Sequence, residues 1–444
     1  MNHKNKTKEA QELLTLIEEA VSPYHAVESV KLRLERAGYR EVSLKERWKL
    51  EKGGAYFVRH HGSSLVAFQI GREDPVKGQL RVAAAHTDFP CLRVKANPDM
   101  KEEGYVRVNV EIYGGAILNT WLDRPLSVAG RVALKSDTIL KPELRLINIK
   151  RPILTIPNIA IHLNKEINKG VELNRQTDMI PIAGMLEKEL NQENDEKNGK
   201  KSTYFLNFLA EELNVDPSDI LDFELSVYCA EQGCFLGIEQ EFISAPRLDN
   251  MTSVQAVATG LLESERGDGV NVGAFFDHEE IGSRTKQGAG SLLLSFVLEK
   301  LYDAFGGNHM DFQSAVAGGM LLSTDVGHGL HPNQVGKYDP VNKASLNSGV
   351  SVKEAAGQSY ATDSEGIAII EQMLLKEKIP YKKFVNRSDG TSGSTLGTIA
   401  STLLPMLVID VGIPLLAMHS ARELMGSRDQ KALTDLLRCF YRIV

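Results

Sequence analysis

The sequence predicts an α/β protein, a mainly parallel sheet sandwiched by helices, with an inserted β-rich domain. Three observations carry that reading. After residue 245 helices and strands alternate, from a helix over about 250–263 through VNVGAFF, SLLLSFVLEKLYDAF and AVAGGMLLST to LPMLVIDVG, the order that builds parallel sheets covered on both faces. "LRVAAAHTD" is short and continuously apolar, like a strand buried on both sides. From about residue 95 to 240 the texture changes to short β-rich runs (YVRVNVEIYGG, LSVAGRVAL, ELRLINI, FELSVYCA) without alternating helices. A chain of 444 residues also exceeds the size at which one core usually stops growing. The expected division is therefore an α/β domain over 1–94 and 241–444, and an inserted domain over 95–240.

The elements follow in order. Leu13, Leu14, Ile17, Ala20 and Val21 recur at helical spacing, and Ser22-Pro23 then offers a cap and a first-turn proline to a second helix stopping near Gly38. AYFVRH and SLVAFQIG, joined by His61-Gly62-Ser63-Ser64, read as a hairpin. EKELNQENDEKNGKKST (187–203) is polar enough to be a surface loop. A helix near 364–377 and a final helix from about 420 to 441 complete the pattern.

Composition narrows the partners. The net charge of −7, with no long basic block, argues against nucleic acid or an acidic membrane surface. No run approaches the roughly 18 apolar residues of a membrane span, and MNHKNKTKEAQELL lacks the apolar core of a secretory signal. Cys91, Cys229, Cys234 and Cys439 are too scattered for a disulfide framework or a cysteine zinc site. A cytoplasmic protein is the expectation.

Ligands in open α/β sheets collect at the carboxyl ends of strands. His86 and Asp88 follow RVAAA, Glu279 and Glu280 follow GAFF, Asp325, His328 and His331 follow GGMLLST, and His419 follows IPLLAM; Asp249 stands in the loop before a helix. Each alone is explained by a cap or a turn. Together on one edge they form a metal site. Two imidazoles and three carboxylates (His86, His419, Asp249, Glu280, Asp325), without a thiolate, suit Zn, Mn or Co. Five ligands exceed the three of a single catalytic zinc and fit two ions about 3.5–4 Å apart, bridged by a carboxylate and a water. Asp88 is spaced to accept the second N–H of His86. With Glu280 as ligand, Glu279 remains a general base that takes a proton from water and passes it to a leaving amine, and the chemistry is metal-assisted amide hydrolysis. RSDGTSGSTLG (387–397) lacks the lysine of a phosphate-binding loop; it is either a cleft-lining turn, where Asp389 would hold the substrate's free amine, or a plain loop before a helix.

In order along the chain, AAHTDFPCLRVK, APRLDN, DHEEIGS, STDVGHGLHPN, YAT at 360–362 and LLAMHSARE resemble the motifs of the aspartyl aminopeptidase family of dinuclear zinc exopeptidases. The resemblance implies the zinc exopeptidase fold and an aminopeptidase that removes N-terminal residues, Asp or Glu among them, from peptides with a free N-terminus. It implies His86, Asp249, Glu280, Asp325 and His419 as ligands of two zinc ions, with Asp249 bridging and Glu279 as base. His331, Lys353 and Tyr360 correspond to substrate-site positions, the lysine to one associated with acidic side chains. His162, in IPNIAIHLNK, corresponds to a histidine that reaches a partner subunit's active site. Family members form dimers that assemble into closed shells, so a dodecamer is implied. Phe89 stands where the family usually carries serine, and Glu354, Ala355 and Ser359 where a neutral residue, Asn and Arg are usual. These departures bear on the acidic preference and leave the catalytic set intact. The rival readings are a two-metal amidase or deacylase on N-acyl substrates, and a silent assembly protein.

Overall fold

The computed structural model describes residues 6–185, 203–264, 267–390 and 393–443. The polar stretch 187–203 lies outside them except for Thr203, and so do residues 391–392 of the Gly/Ser/Thr-rich loop. Two compact units are present: Met1–Phe89, Gly233–Met418 and Glu423–Val444 in the first, Pro90–Gln232 with His419–Arg422 in the second.

The first unit is built on a nine-stranded sheet in the order Arg40–Glu41, Ala55–His60, Ser64–Ile70, Val270–Phe276, Leu80–His86, Met320–Thr324, Leu407–Gly412, Val350–Glu354, Tyr381–Val385. The central pairs, Val270–Phe276 with Leu80–His86 and Met320–Thr324 between Leu80–His86 and Leu407–Gly412, are parallel. The expected hairpin is antiparallel, with His60 opposite Ser64. Every residue of Leu80–His86 and of Val270–Phe276 is buried, as their unbroken apolar runs require of strands covered on both faces. One apolar cluster joins Leu13, Ile17, Val27, Val257, Leu433 and Phe440 to the inward side chains of the sheet. The other joins Val82, Val272, Leu298, Leu301, Leu321 and Leu396 on the opposite side. The polar ends of the central strands are thereby held against a rigid core.

Two elements differ from the sequence reading. The helix His309–Ala317 takes the first part of AVAGGMLLST, leaving the strand to begin at Met320. Its start is a capping box of Asn308 and Asp311, in which each side chain satisfies a main-chain N–H that the first turn leaves open. The last helix spans Asp429–Phe440 and does not begin near 420. Glu423–Gly426 is instead a strand between Phe242–Ala245 and Pro414–Leu416 in a smaller five-stranded sheet. Sheet pairing overrides the helical propensity of "ARELM".

The second unit carries a six-stranded sheet ordered Glu143–Asn148, Leu126–Leu134, Ile220–Cys229, Cys91–Glu102, Tyr105–Tyr113, Ile182–Met185, antiparallel throughout, and the helix Tyr204–Leu213. Among the described residues no helix is long and apolar enough to cross a membrane.

Candidate metal centre

Four strand ends and one helix start build the site in the first unit. His86 closes Leu80–His86, whose last residues pair in register with Phe275 and Phe276. The neighbouring strand ends at Phe276, and the chain turns sharply through His278, in the left-handed region at φ 65°, before a helical turn over Glu279–Ile281. Asp277 caps that corner by accepting from the His278 N–H at 2.8 Å, and Thr285 meets the His278 ring at 2.8 Å.

Asp325 follows Met320–Thr324, and its N–H donates to the Val411 carbonyl at 2.9 Å. Gly412 packs so closely there that a Cβ would lie 1.6 Å from the Asp325 carbonyl oxygen, so only glycine lets the two strand ends approach. Asp249 lies in the first turn of Leu248–Leu262 with a non-helical ψ of 107°, joined to Asn250 by a cis peptide bond. Its N–H donates to the Glu423 carboxylate at 3.0 Å.

These elements converge. One donor atom from each of His86, Asp249 and Asp325 falls within 4.8 Å of the others, and so do atoms from His86, Glu279 and Glu280. His86 Nε2 lies 3.3 Å from Asp249 Oδ1 and 3.4 Å from Asp325 Oδ1. His86 and Asp249 are buried, and the buried Oδ1 of Asp325 makes no hydrogen bond.

Asp88 does more than the sequence suggested. The nearer acceptor for His86 Nδ1 is the Asp88 main-chain carbonyl, at 3.0 Å, with the carboxylate at 3.5 Å. The carboxylate is turned to the glutamate pair, accepting the Glu279 N–H on Oδ1 at 3.0 Å and the Glu280 N–H on Oδ2 at 3.1 Å. The reason is geometric: after the His278 corner, two successive N–H groups point the same way, and a carboxylate with two oxygens matches them. Asp88 thus fixes the imidazole's tautomer through its backbone and the glutamate turn through its side chain.

The electrostatics describe a site short of positive charge. Burial pushes the Glu279 carboxyl up to about 8; the His86 charge pulls it back, and Asp325, Asp88 and Asp249 push it further. Glu280 is raised well above the carboxylate range by burial and then by Asp249. Burial alone would lower His86, yet the neighbouring carboxylates of Asp249, Asp325 and Asp88 hold it well above the usual histidine range. Anions crowded this closely favour any bound cation, a proton included. Three carboxylates and an imidazole in that setting fit a divalent metal of the zinc type.

The remaining sequence candidates have these surroundings. His419 opens the His419–Arg422 stretch grouped with the second unit, where its Nδ1 donates to the Gly115 carbonyl at 3.2 Å. Lys353 and Tyr360 are buried; the Lys353 Nζ donates to the Val326 carbonyl at 2.7 Å, and Asn386 donates to the Tyr360 hydroxyl at 3.2 Å. His331 is half-buried and accepts the Asn333 N–H at 3.2 Å. Asp389 is exposed, and Arg387 engages both its oxygens, at 2.5 and 3.0 Å; an amine would have to compete with that two-point pair. His162 is exposed in the second unit, between the exposed Ile161 and Leu163. Phe89 is buried beneath the Arg247 guanidinium, 5.5 Å from the ring centre. Sequence reasoning assigned no role to Glu423, which lies inside the LLAMHSARE motif, or to Asp410, an acid in the otherwise apolar LPMLVIDVG; a charge in a strand covered on both faces is itself a signal.

A parallel sheet whose strand ends gather carboxylates and imidazole around a cation-deficient point defines a metallohydrolase of the α/β type. The sequence profile of the aminopeptidase I zinc metalloproteases (M18) matches residues 16–441. The "Probable M18 family aminopeptidase 2" of Clostridium novyi (strain NT) is 44% identical over 441 residues, 99% of this chain and 100% of the relative. In the solved complex of Ape4 and Nbr1, a chain 36% identical superposes with a TM-score of 0.93, over 98% of this chain and 85% of that one. The S. cerevisiae mApe1 dodecamer is 26% identical, with a TM-score of 0.84 over 97% and 96%. The chain belongs to the M18 family of aminopeptidases, zinc metallo-exopeptidases that are hydrolases.

Proposed function

We propose that this aminopeptidase works with two divalent ions, most naturally zinc, held by His86, Asp249, Glu280, Asp325 and His419, with Asp249 shared between them. The observation that carries the reading is the gathering of donor atoms from His86, Asp249, Asp325, Glu279 and Glu280 into overlapping groups of 4.8 Å span. Two features support His419 as the fifth donor. A tautomer protonated at Nδ1, as its bond to Gly115 requires, puts the lone pair on Nε2. The chain that leaves the first unit after Met418 also re-enters it at Glu423, the residue that accepts the Asp249 N–H.

Bound zinc supplies the positive charge that polarises the scissile carbonyl and makes water a nucleophile at neutral pH. The chain's own residues do the rest. Glu279 takes the proton of the attacking water and delivers it to the departing amine, while Asp88 keeps Glu279 and Glu280 apart by gripping both N–H groups. His331 and Tyr360 border the substrate's path. An N-terminal Asp or Glu is among the residues removed. The chain acts in the cytoplasm as a homo-oligomer, dimers building a dodecamer of the kind named for the mApe1 relative. The β-rich unit, expected over 95–240, mediates that assembly, and His162 reaches a neighbouring subunit's cleft. Its exposure between Ile161 and Leu163 supports that role.

The test is a panel of aminoacyl amides with free N-termini and their N-acetylated counterparts, assayed with zinc. Cleavage of the free series alone is expected. Turnover of only the acetylated series would make the protein a deacylase or amidase, and no turnover of either with zinc bound would make it a silent scaffold.

A further inference from the structure

The segment that follows the edge strand Arg40–Glu41 alternates in burial. Val42, Leu44, Trp48 and Leu50 pack against the apolar cluster that holds Val82 and Leu298, while Lys45, Arg47 and Lys49 are exposed. A period of two sets such residues in a row on one side, about 6–7 Å apart where the chain is extended. Ser43 fixes the turn at the start of the row. Its Oγ accepts the Lys45 N–H at 3.2 Å, and its carbonyl accepts the Glu46 N–H at 3.2 Å and the Trp48 ring N–H at 2.8 Å. This row and the end of Ala55–His60, with the turn residue His61, line a cavity of about 820 Å³, the size of a small-molecule site. The acids on its lining do not balance the bases. Glu41 is already engaged by Arg59, which donates to its two oxygens at 2.8 and 3.1 Å. That leaves Glu46 against Lys45, Arg47 and Lys49, none of which has an ion pair among the described residues. Lys300 adds charge beside them, its Nζ donating to the Glu46 carbonyl at 2.8 Å. In a chain of net charge −7 such a cluster stands out.

We propose that this cleft binds a small polyphosphate anion, the di- or triphosphate group of a metabolite, through Lys45, Arg47 and Lys49. A single carboxylate would leave most of these cations unanswered, whereas a polyphosphate carries several charges on adjoining groups, and a guanidinium matches phosphate oxygens in pairs. Recognition ends at the phosphates. Phe68 stacks on the Trp48 ring with centres 5.5 Å apart, and the Lys300 ammonium lies over that ring at 5.5 Å, so no face of Trp48 is left for a base. The row is short and carries Glu46 within it, and the chain as a whole is acidic; a nucleic acid needs a longer basic stripe. The inference is independent of the peptidase chemistry.

The test is calorimetric titration of the full chain with pyrophosphate, with ADP and with a single-stranded oligoribonucleotide, all at low salt. It compares the parent with Arg47→Ser/Lys49→Ser and with Lys376→Ser/Lys382→Ser, a control that removes the same charge at exposed lysines outside the cleft. The parent is expected to bind one pyrophosphate per chain. The cleft variant should lose about tenfold or more in affinity, as the loss of two charge-assisted hydrogen bonds implies, and the control should stay within about twofold, since distant surface charges are screened. ADP should bind within about threefold of pyrophosphate, because its base meets no open ring. The substituted side chains are exposed, so both variants are expected to melt with the parent; if the cleft variant does not, Arg47→Gln, which keeps the stem, supplies the same comparison with a smaller loss. No pyrophosphate binding by the parent, or equal losses in the cleft variant and the control, would overturn the proposal. Binding undiminished in the cleft variant would assign the anion to the metal centre and overturn it too. Tighter binding of the oligoribonucleotide than of pyrophosphate would make the cleft a nucleic-acid surface, and ADP bound more than about tenfold tighter than pyrophosphate would show that recognition extends to the base; either contradicts the proposal.

Discussion

Two of the places where the first unit buries carboxylates solve the problem differently. Asp429, at the start of the last helix, is fully buried, and main-chain donors answer it: the Asn347 N–H at 2.7 Å and the Gly349 N–H at 2.8 Å. At the strand ends, Asp249, Asp325, Glu279 and Glu280 face His86 and one another, and Asp325 Oδ1 has no hydrogen bond. A lone buried acid with backbone donors holds a turn together; acids gathered around a common point need a cation. The difference separates structural from functional charge without reference to any relative.

The largest effect that would break this comparison is at Glu279. Glu279→Gln keeps the shape and the hydrogen bond to Asp88 but cannot carry a proton, so kcat is expected to fall by about a thousandfold with zinc content unchanged by elemental analysis. Activity within a few-fold of the parent would remove Glu279 as the base.

A smaller effect is expected at Asp429, and its sign follows from burial. Burial raises the Asp429 carboxyl from 3.8 to about 7, against the pull of the Gly349 and Asn347 N–H groups. Between those values the folded chain keeps a proton that the unfolded chain has released. This contribution to stability is therefore full below about 4 and is lost as pH rises towards 7, at no more than about 1.4 kcal/mol per pH unit for one proton. Asp429→Asn should flatten the dependence of denaturant stability on pH over that window and leave kcat within a few-fold. An unchanged slope would show that Asp429 is not the titrating group.

Much of this was legible in the sequence, for definite reasons. The buried strands announce themselves because covering both faces demands unbroken apolar runs, as in LRVAAAH and VNVGAFF. Their polar ends announce the site, and His86, Asp249, Glu279, Glu280 and Asp325 do meet there. What stayed hidden depends on direction rather than type. Spacing gave Asp88 to the imidazole, but not the two N–H groups that the αL corner at His278 presents to its carboxylate. "ARELM" looks helical until the strand Phe242–Ala245, some 180 residues earlier, pairs with it. Asp389 sits in a loop suited to holding an amine, yet Arg387, two residues away, takes both of its oxygens.

The central claim, that the strand-end carboxylates form a cation site, is tested most directly by counting zinc in the purified, fully active chain. The account predicts two zinc ions per chain, with turnover of a free aminoacyl amide rising in step with occupancy as the metal-free protein is reloaded. A single ion at full activity would contradict the dinuclear assignment, and full activity with no metal at all would contradict the claim itself.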